Sequence, residues 1–351
     1  MLTEATTAAL EKIVHVLMET AVIPGVSIAI IHSNKIWQAQ WGMMNINTNQ
    51  PVTVETIFQA ASLSKPVFAY AVLQLVINGQ LDLDTPLTTY LPASERNADP
   101  LFDRIVNEPN LHKISARHVL SHTPGFPNWA NEGEKLKTNF TPGSRFSYSG
   151  EGYHFLQRVV EHLLSQAAHD WIRPTLLTAL NMAQASFTVT KADAVRVASG
   201  HDKAGKPTDF GEMPQMGSAY SLHCTAHDFA QFLRAMLRPS PLTALMLTPQ
   251  IQVNTSHSGQ DDWPDFDATA DPGVGWGLGW GLQTGKNGRF FWQWGDNGAF
   301  KAFAAGQPES GTAVAIFANS QNGDTLWRPI LETTFGADDW PALDWLKRTF
   351  G

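Results

Sequence analysis

The sequence holds one cysteine, Cys224, among 351 residues, which excludes an intrachain disulfide and any cysteine-rich metal site. It has no basic run and a formal net charge of −8, so no nucleic-acid footprint is expected and a small molecule is the expected partner. No apolar stretch is long enough to span a bilayer, so no membrane association is expected. The start, Met1-Leu2-Thr3-Glu4, lacks the basic and apolar regions of a signal peptide. As given, the chain reads as cytoplasmic; removal of a leader would make it periplasmic or secreted. No internal repeat is present. No serine sits in a Gly-x-Ser-x-Gly context, which removes the α/β-hydrolase elbow as a source of a nucleophile. The glycines from Gly273 to Gly281 repeat every second residue with no helix opening after them, so they are not a dinucleotide fingerprint. His118 and His122 stand four apart, but Val119 replaces the glutamate of a metalloprotease motif and no third ligand is indicated. No metal and no organic cofactor are expected.

With 43% hydrophobic residues the chain can bury a sizeable core, as one large domain or two. Leu10, Ile13, Val14, Leu17 and Ala21 recur at helical spacing and predict a helix over 7–20. Residues 26–31 and 36–42 read as a β-hairpin. From Gly79 to about Gln215 the pattern is helical patches broken by Pro and Gly, including 115–122 and 152–165. A capped amphipathic helix covers 225–237, followed by a polar loop rich in Asp and Pro. Residues 273–282 alternate glycine with bulky apolar residues and predict one strand, packed on one face and bare on the other. Segments 290–294, 301–305 and 312–318 are further strands. Strands at both ends therefore bracket a helical middle. The economical arrangement is one antiparallel sheet lobe (1–65 and 216–351) with an inserted helical lobe (66–215), an α+β fold.

The stretch from Phe58 to Lys65 lies at that lobe boundary, where pockets commonly form. Ser62 is the only serine followed three residues later by lysine. On a helical turn, residues three apart share a face. A serine hydroxyl becomes a good nucleophile only with a base in hydrogen-bond reach, and Lys65 can be that base only if burial or nearby positive charge lowers its pKa. The apolar run from Val67 to Ile77 predicts a buried helix, which would bury its first turn too. Pro66 disfavours helical geometry at Lys65 and predicts a tight or distorted start.

Four segments in order carry a resemblance: Ser62-Leu63-Ser64-Lys65 before an apolar helix; Gly79 to Asp84; Leu120-Ser121-His122-Thr123-Pro124-Gly125; and Pro142-Gly143-Ser144 with Phe146-Ser147-Tyr148-Ser149. Together they resemble the serine β-lactamase and penicillin-binding-protein superfamily, nearest the class C-like branch that includes family VIII carboxylesterases and D-aminopeptidases. The likeness runs from about Val26 to about Ala318. It implies a β-lactamase/transpeptidase-like fold with Ser62 as acylated nucleophile, Lys65 as its proton partner and Tyr148 as the tyrosine of the second motif, Tyr-x-Asn. The third motif, Lys/His-x-Gly, falls at Gln293-Trp294-Gly295, with Trp294-Gly295-Asp296 as the other placement. The backbone N–H groups of Ser62 and Asp296 would then form the oxyanion hole.

Two positions depart from the pattern. Gly150 stands in place of the second motif's asparagine, and Gln293 in place of lysine or histidine. In β-lactamases those side chains help to bind the antibiotic's amide and carboxylate. The expected activity is therefore hydrolysis of small acyl esters through an acyl-enzyme. A β-lactamase or D-amino-acid peptidase is the alternative, and a catalytically decayed binding protein a further one. Trp276, Trp280, Trp292 and Trp294 are candidate walls of an apolar acyl pocket.

Overall fold

The computed structural model describes residues 2–96, 104–105, 108–131, 133–253 and 273–350. Most of the expected polar loop, 254–272, lies outside them. Its strands are β1 (Gly25–His32), β2 (Lys35–Asn45), β3 (Gln50–Pro51), β4 (Phe58–Ala61), β5 (Leu222–Cys224), β6 (Ile251–Gln252), β7 (Val274–Trp276), β8 (Gly281–Gly285), β9 (Gly288–Asp296), β10 (Lys301–Gln307) and β11 (Thr312–Ala318). Nine of them form one antiparallel sheet in the order β3-β2-β1-β11-β10-β9-β8-β7-β6. N- and C-terminal segments meet where β1 pairs with β11, Ile28 opposite Ile316. β4 and β5 form a separate two-stranded sheet.

Strand alternation sorts side chains between two cores. Ile28, Ile30, Phe303, Val314 and Ile316 face α1 (Glu4–Thr20), which contributes Leu10 and Val14, and α7 (Trp327–Phe335) and α8 (Pro341–Phe350), which contribute Ile330, Leu331 and Trp345. Ala29, Ala302, Ala304, Ala313 and Ala315 face the other way, toward α2 (Ser64–Ile77) and α5 (Ala226–Met236). Alanines on this face let helices approach closely, and Val67, Leu73, Phe229 and Phe232 fill the layer with no exposed surface. Each such apolar side chain contributes about 1.5–3 kcal/mol by leaving water. The helical segment, including α3 (Ala116–Leu120) and α4 (Gly150–Leu164), shares this core rather than building its own: Leu120, Leu156 and Val160 belong to the same cluster as Ala304. Among the described residues no helix is long and apolar enough to cross a membrane.

The sequence pattern is corrected at 273–282. Instead of one strand, β7 ends at Trp276, the chain turns through Gly277–Trp280, and β8 begins at Gly281. A Cβ at position 277 would lie 2.1 Å from the Met246 carbonyl of α6 (Pro241–Leu247), and one at 279, where φ is +92°, 2.5 Å from Ala69 of α2. At Gly277 and Gly279 the chain is therefore not bare: helices lie against it, and only glycine lets them come so near.

Candidate active site

Ser62 lies between β4 and α2 rather than within the helix. Ala61 adopts φ +49°, rare for a residue with a Cβ, and turns the chain out of the strand. Leu63 N–H then bonds the Ala60 carbonyl (3.0 Å) and Lys65 N–H the Ser62 carbonyl (3.1 Å), a tight three-residue spacing that accommodates Pro66 in the first helical turn. Ser64 fixes the turn from below. Its hydroxyl donates to the Ala61 carbonyl (2.6 Å) and accepts from the Leu222 N–H of β5 (2.8 Å).

This places the Lys65 amine 3.0 Å from the Ser62 hydroxyl and 2.9 Å from the Ala219 carbonyl, with no exposed surface. Burial alone pushes its pKa well below the usual lysine value of 10.5. An uncharged amine has two hydrogens and one lone pair. Donation to the Ala219 carbonyl fixes it so that the lone pair can face Ser62.

Tyr148 comes from the loop before α4, and its ring is clasped between His122 (centroids 4.2 Å apart) and Trp294 (4.4 Å). The Lys65 amine sits 4.6 Å from the centre of that ring. The phenol hydrogen-bonds Ser62 and accepts from Gln293 Nε2 at 2.9 Å. Burial raises its pKa, and those two hydrogen bonds counter only part of the rise, so Tyr148 is a neutral phenol near pH 7. Hydroxyl, amine and phenol thus meet around one point.

Gln293 is buried on β9 and bonds Tyr148 and the Trp294 carbonyl, each at 2.9 Å. Gly295 lets β9 approach β4, since a Cβ there would lie 2.3 Å from the Ala60 carbonyl. Asn297 N–H bonds the Phe300 carbonyl at 3.1 Å, so the next pair, Asp296 with Lys301, is of the non-hydrogen-bonded kind. That turns the Asp296 N–H away from β10, toward a side that β8 has already left, its last pair being Gly281 with Trp292. The Asp296 carboxylate pairs with Lys301 at 2.5 Å.

A cleft of about 540 Å³ opens over Ser62, lined by Asn128, Trp129, Tyr148, His154, Tyr220, Trp294, Asp296 and Asn297. Of the four expected tryptophans only Trp294 lines it; Trp276, Trp280 and Trp292 are fully buried in the core, where their bulk fills space between sheet and helices. At the second-motif position the Gly150 N–H donates to both oxygens of Asn128, the side-chain one at 3.1 Å and the carbonyl at 3.0 Å. Asn128, Trp129, His154, Tyr220 and Ala219 were not singled out from the sequence. The one signal for Asn128 and Trp129 was their place in a Pro- and Gly-punctuated loop after Thr123-Pro124-Gly125. His118 belongs to the cap of α3, its ring nitrogen accepting from Ser115 N–H at 3.2 Å, while His122 stacks on Tyr148.

Comparison with known proteins shows the family and the fold. The Beta-lactamase family model covers residues 10–332. This chain belongs to the beta-lactamase family. That is a family of serine hydrolases. The chain is 25% identical over 261 residues to a Beta-lactamase of Pseudomonas fluorescens, covering 71% of this chain and 69% of that one. It is 26% identical over 340 residues to Penicillin-binding protein 4 of Amycolatopsis lactamdurans (90% and 85%). Over 118 residues it is 34% identical to Esterase EstB of Burkholderia gladioli, only 33% of this chain and 28% of that protein. Its β-lactamase/transpeptidase fold superposes on the D-alanine carboxypeptidase AmpC from Burkholderia cenocepacia with TM-score 0.75 at 18% identity, covering 94% of this chain and 99% of that one.

Proposed function

We propose that the chain is an esterase for small acyl substrates that works through an acyl-enzyme on Ser62. The observation that supports this reading best is the buried Lys65 amine, 3.0 Å from the Ser62 hydroxyl, whose pKa burial lowers well below the usual 10.5. In acylation the Ser62 proton passes to Lys65 while the oxygen attacks the ester carbonyl. The resulting oxyanion accepts hydrogen bonds from the Ser62 and Asp296 N–H groups. As the carbon–oxygen bond of the alcohol breaks, the departing oxygen takes a proton from the Tyr148 phenol, which Lys65 reprotonates, restoring the neutral amine. Water then attacks the acyl carbonyl, gives its proton back through the same phenol and amine, and Ser62 leaves with it as the carboxylic acid departs. Because its neighbours Gln293 and Ser62 are uncharged, Tyr148 acts as a proton relay and not as a phenolate base.

Gly150 and Gln293 lack the amide and cation with which β-lactamases hold their substrate, and an ester asks for neither. The test is turnover of a short-chain chromogenic ester beside nitrocefin, with Ser62→Ala as control. Ester turnover that vanishes in the variant, with slow nitrocefin hydrolysis, supports the esterase. The relatives named as β-lactamases and penicillin-binding protein favour a second reading, β-lactam or D-amino-acid amide hydrolysis, and comparable nitrocefin turnover would carry it. Absence of any adduct on Ser62 with a fluorophosphonate or penicillin probe on folded protein would leave a binding protein.

A further inference from the structure

We propose that Trp129, with His154 and Tyr220, forms an aromatic subsite beside Ser62 that takes an uncharged aromatic ring of the substrate, and that position 150 is glycine so that the Trp129 indole can stand there. The proposal rests on the hydrolase reading above and adds a substrate class to it.

Three observations carry it. First, a Cβ at position 150 would lie 2.5, 2.7 and 2.8 Å from three carbons of the Trp129 six-membered ring. Any side chain at 150 and this placement of the indole exclude one another, so the missing motif asparagine and the tryptophan are one change. Second, Trp129, His154 and Tyr220 form a closed cluster, with centroids 5.5, 5.7 and 5.8 Å apart and planes inclined by 50° to 81°. All three line the cleft that holds Ser62. Trp129 is 38% exposed, the only aromatic among the exposed large apolar side chains of the described residues. The Lys65 amine, 3.0 Å from the Ser62 hydroxyl, is 5.8 Å from the indole centre, so a ring one or two bonds from a carbonyl on Ser62 reaches the indole. Third, the subsite has no net charge to offer an ionic group. The Asp296 carboxylate at the rim is paired with Lys301, and burial holds the His154 pKa down to about 4. Flat, electron-rich faces meeting at steep angles favour another ring, stacked on one and edge-on to the next.

The test compares methyl phenylacetate with methyl cyclohexylacetate, equal in bulk but not in planarity, and benzyl acetate with cyclohexylmethyl acetate, by acid release. The expected result is a preference for the planar member of at least one pair, about tenfold in kcat/KM, that Trp129→Leu erases. No preference in either pair, or one unchanged by Trp129→Leu, overturns the proposal. Calorimetric affinities of phenylacetate and cyclohexylacetate on Ser62→Ala read the same subsite without turnover. Tighter phenylacetate binding supports it even if neither ester is cleaved, and equal affinities reject it even if both are. Coupling to position 150 is read from Gly150→Asn, which is expected to remove the preference alone yet add nothing to Trp129→Leu. Additive losses would refute the link between the two positions.

Discussion

The two walls of the cleft differ in how they are built. On one side Lys65, Tyr148 and Gln293 are buried and hydrogen-bonded across the core: Lys65 to the Ala219 carbonyl, Tyr148 to Gln293 Nε2. On the other, Asn128, Trp129 and Tyr220 face solvent in part, and their contacts are ring edges and one loop. Burial sets the protonation states on which proton transfer depends, whereas an open wall can be rebuilt without disturbing them. The two departures from the expected motif pattern fall one on each side: Gln293 in the buried wall beside Tyr148, and Gly150 at the foot of the open one, beneath Trp129.

Substitutions should therefore cost most on the buried side. Ser62→Ala removes the nucleophile and should lower kcat/KM for a short-chain ester by a factor on the order of 10⁴ or more with an unchanged circular dichroism spectrum. Undiminished turnover would end the acyl-enzyme account. Lys65→Met should cost about 10³-fold while raising stability by about 1 kcal/mol in urea unfolding, since it removes a desolvated amine. The sign in pH follows from the lowered folded-state pKa. Between that value and 10.5 the unfolded chain binds the proton that the folded chain has released, so stability rises with pH across the window, and below it the burial penalty is present in full. Lys65→Met should flatten that slope; a slope that persists would place its origin elsewhere. Tyr148→Phe should lower kcat about 10²-fold with KM little changed, the signature of a lost proton relay. The smallest effect is expected on the open wall, where Asn128→Ala should raise KM by about threefold and leave kcat near wild type. A larger loss in kcat would mean that this wall takes part in the chemistry.

What could be read from the sequence follows the same division. The Ser62–Lys65 pair is local, so spacing and the apolar run after it were enough. Tyr148 and the position of Gln293 were reachable through the likeness of ordered motifs. Sheet, hairpin and the α5 helix showed in hydrophobic periodicity and a capping threonine, Thr225. The Ala219 carbonyl that holds the amine lies 154 residues away from Lys65, and nothing in composition pairs the two. Trp129 was hidden for a related reason: a glycine at 150 reads as loss until the ring that requires it is seen. The break between β7 and β8 was equally silent, because glycine alternation suits a strand and a close helix crossing alike.

The most direct measurement is titration of the Lys65 side chain by carbon-13 NMR at Cε, set beside the pH dependence of kcat/KM. The account predicts a midpoint well below 10.5 that coincides with the acid limb of the rate profile. A midpoint near 10.5, or an acid limb unrelated to it, would contradict the claim that an uncharged amine activates Ser62.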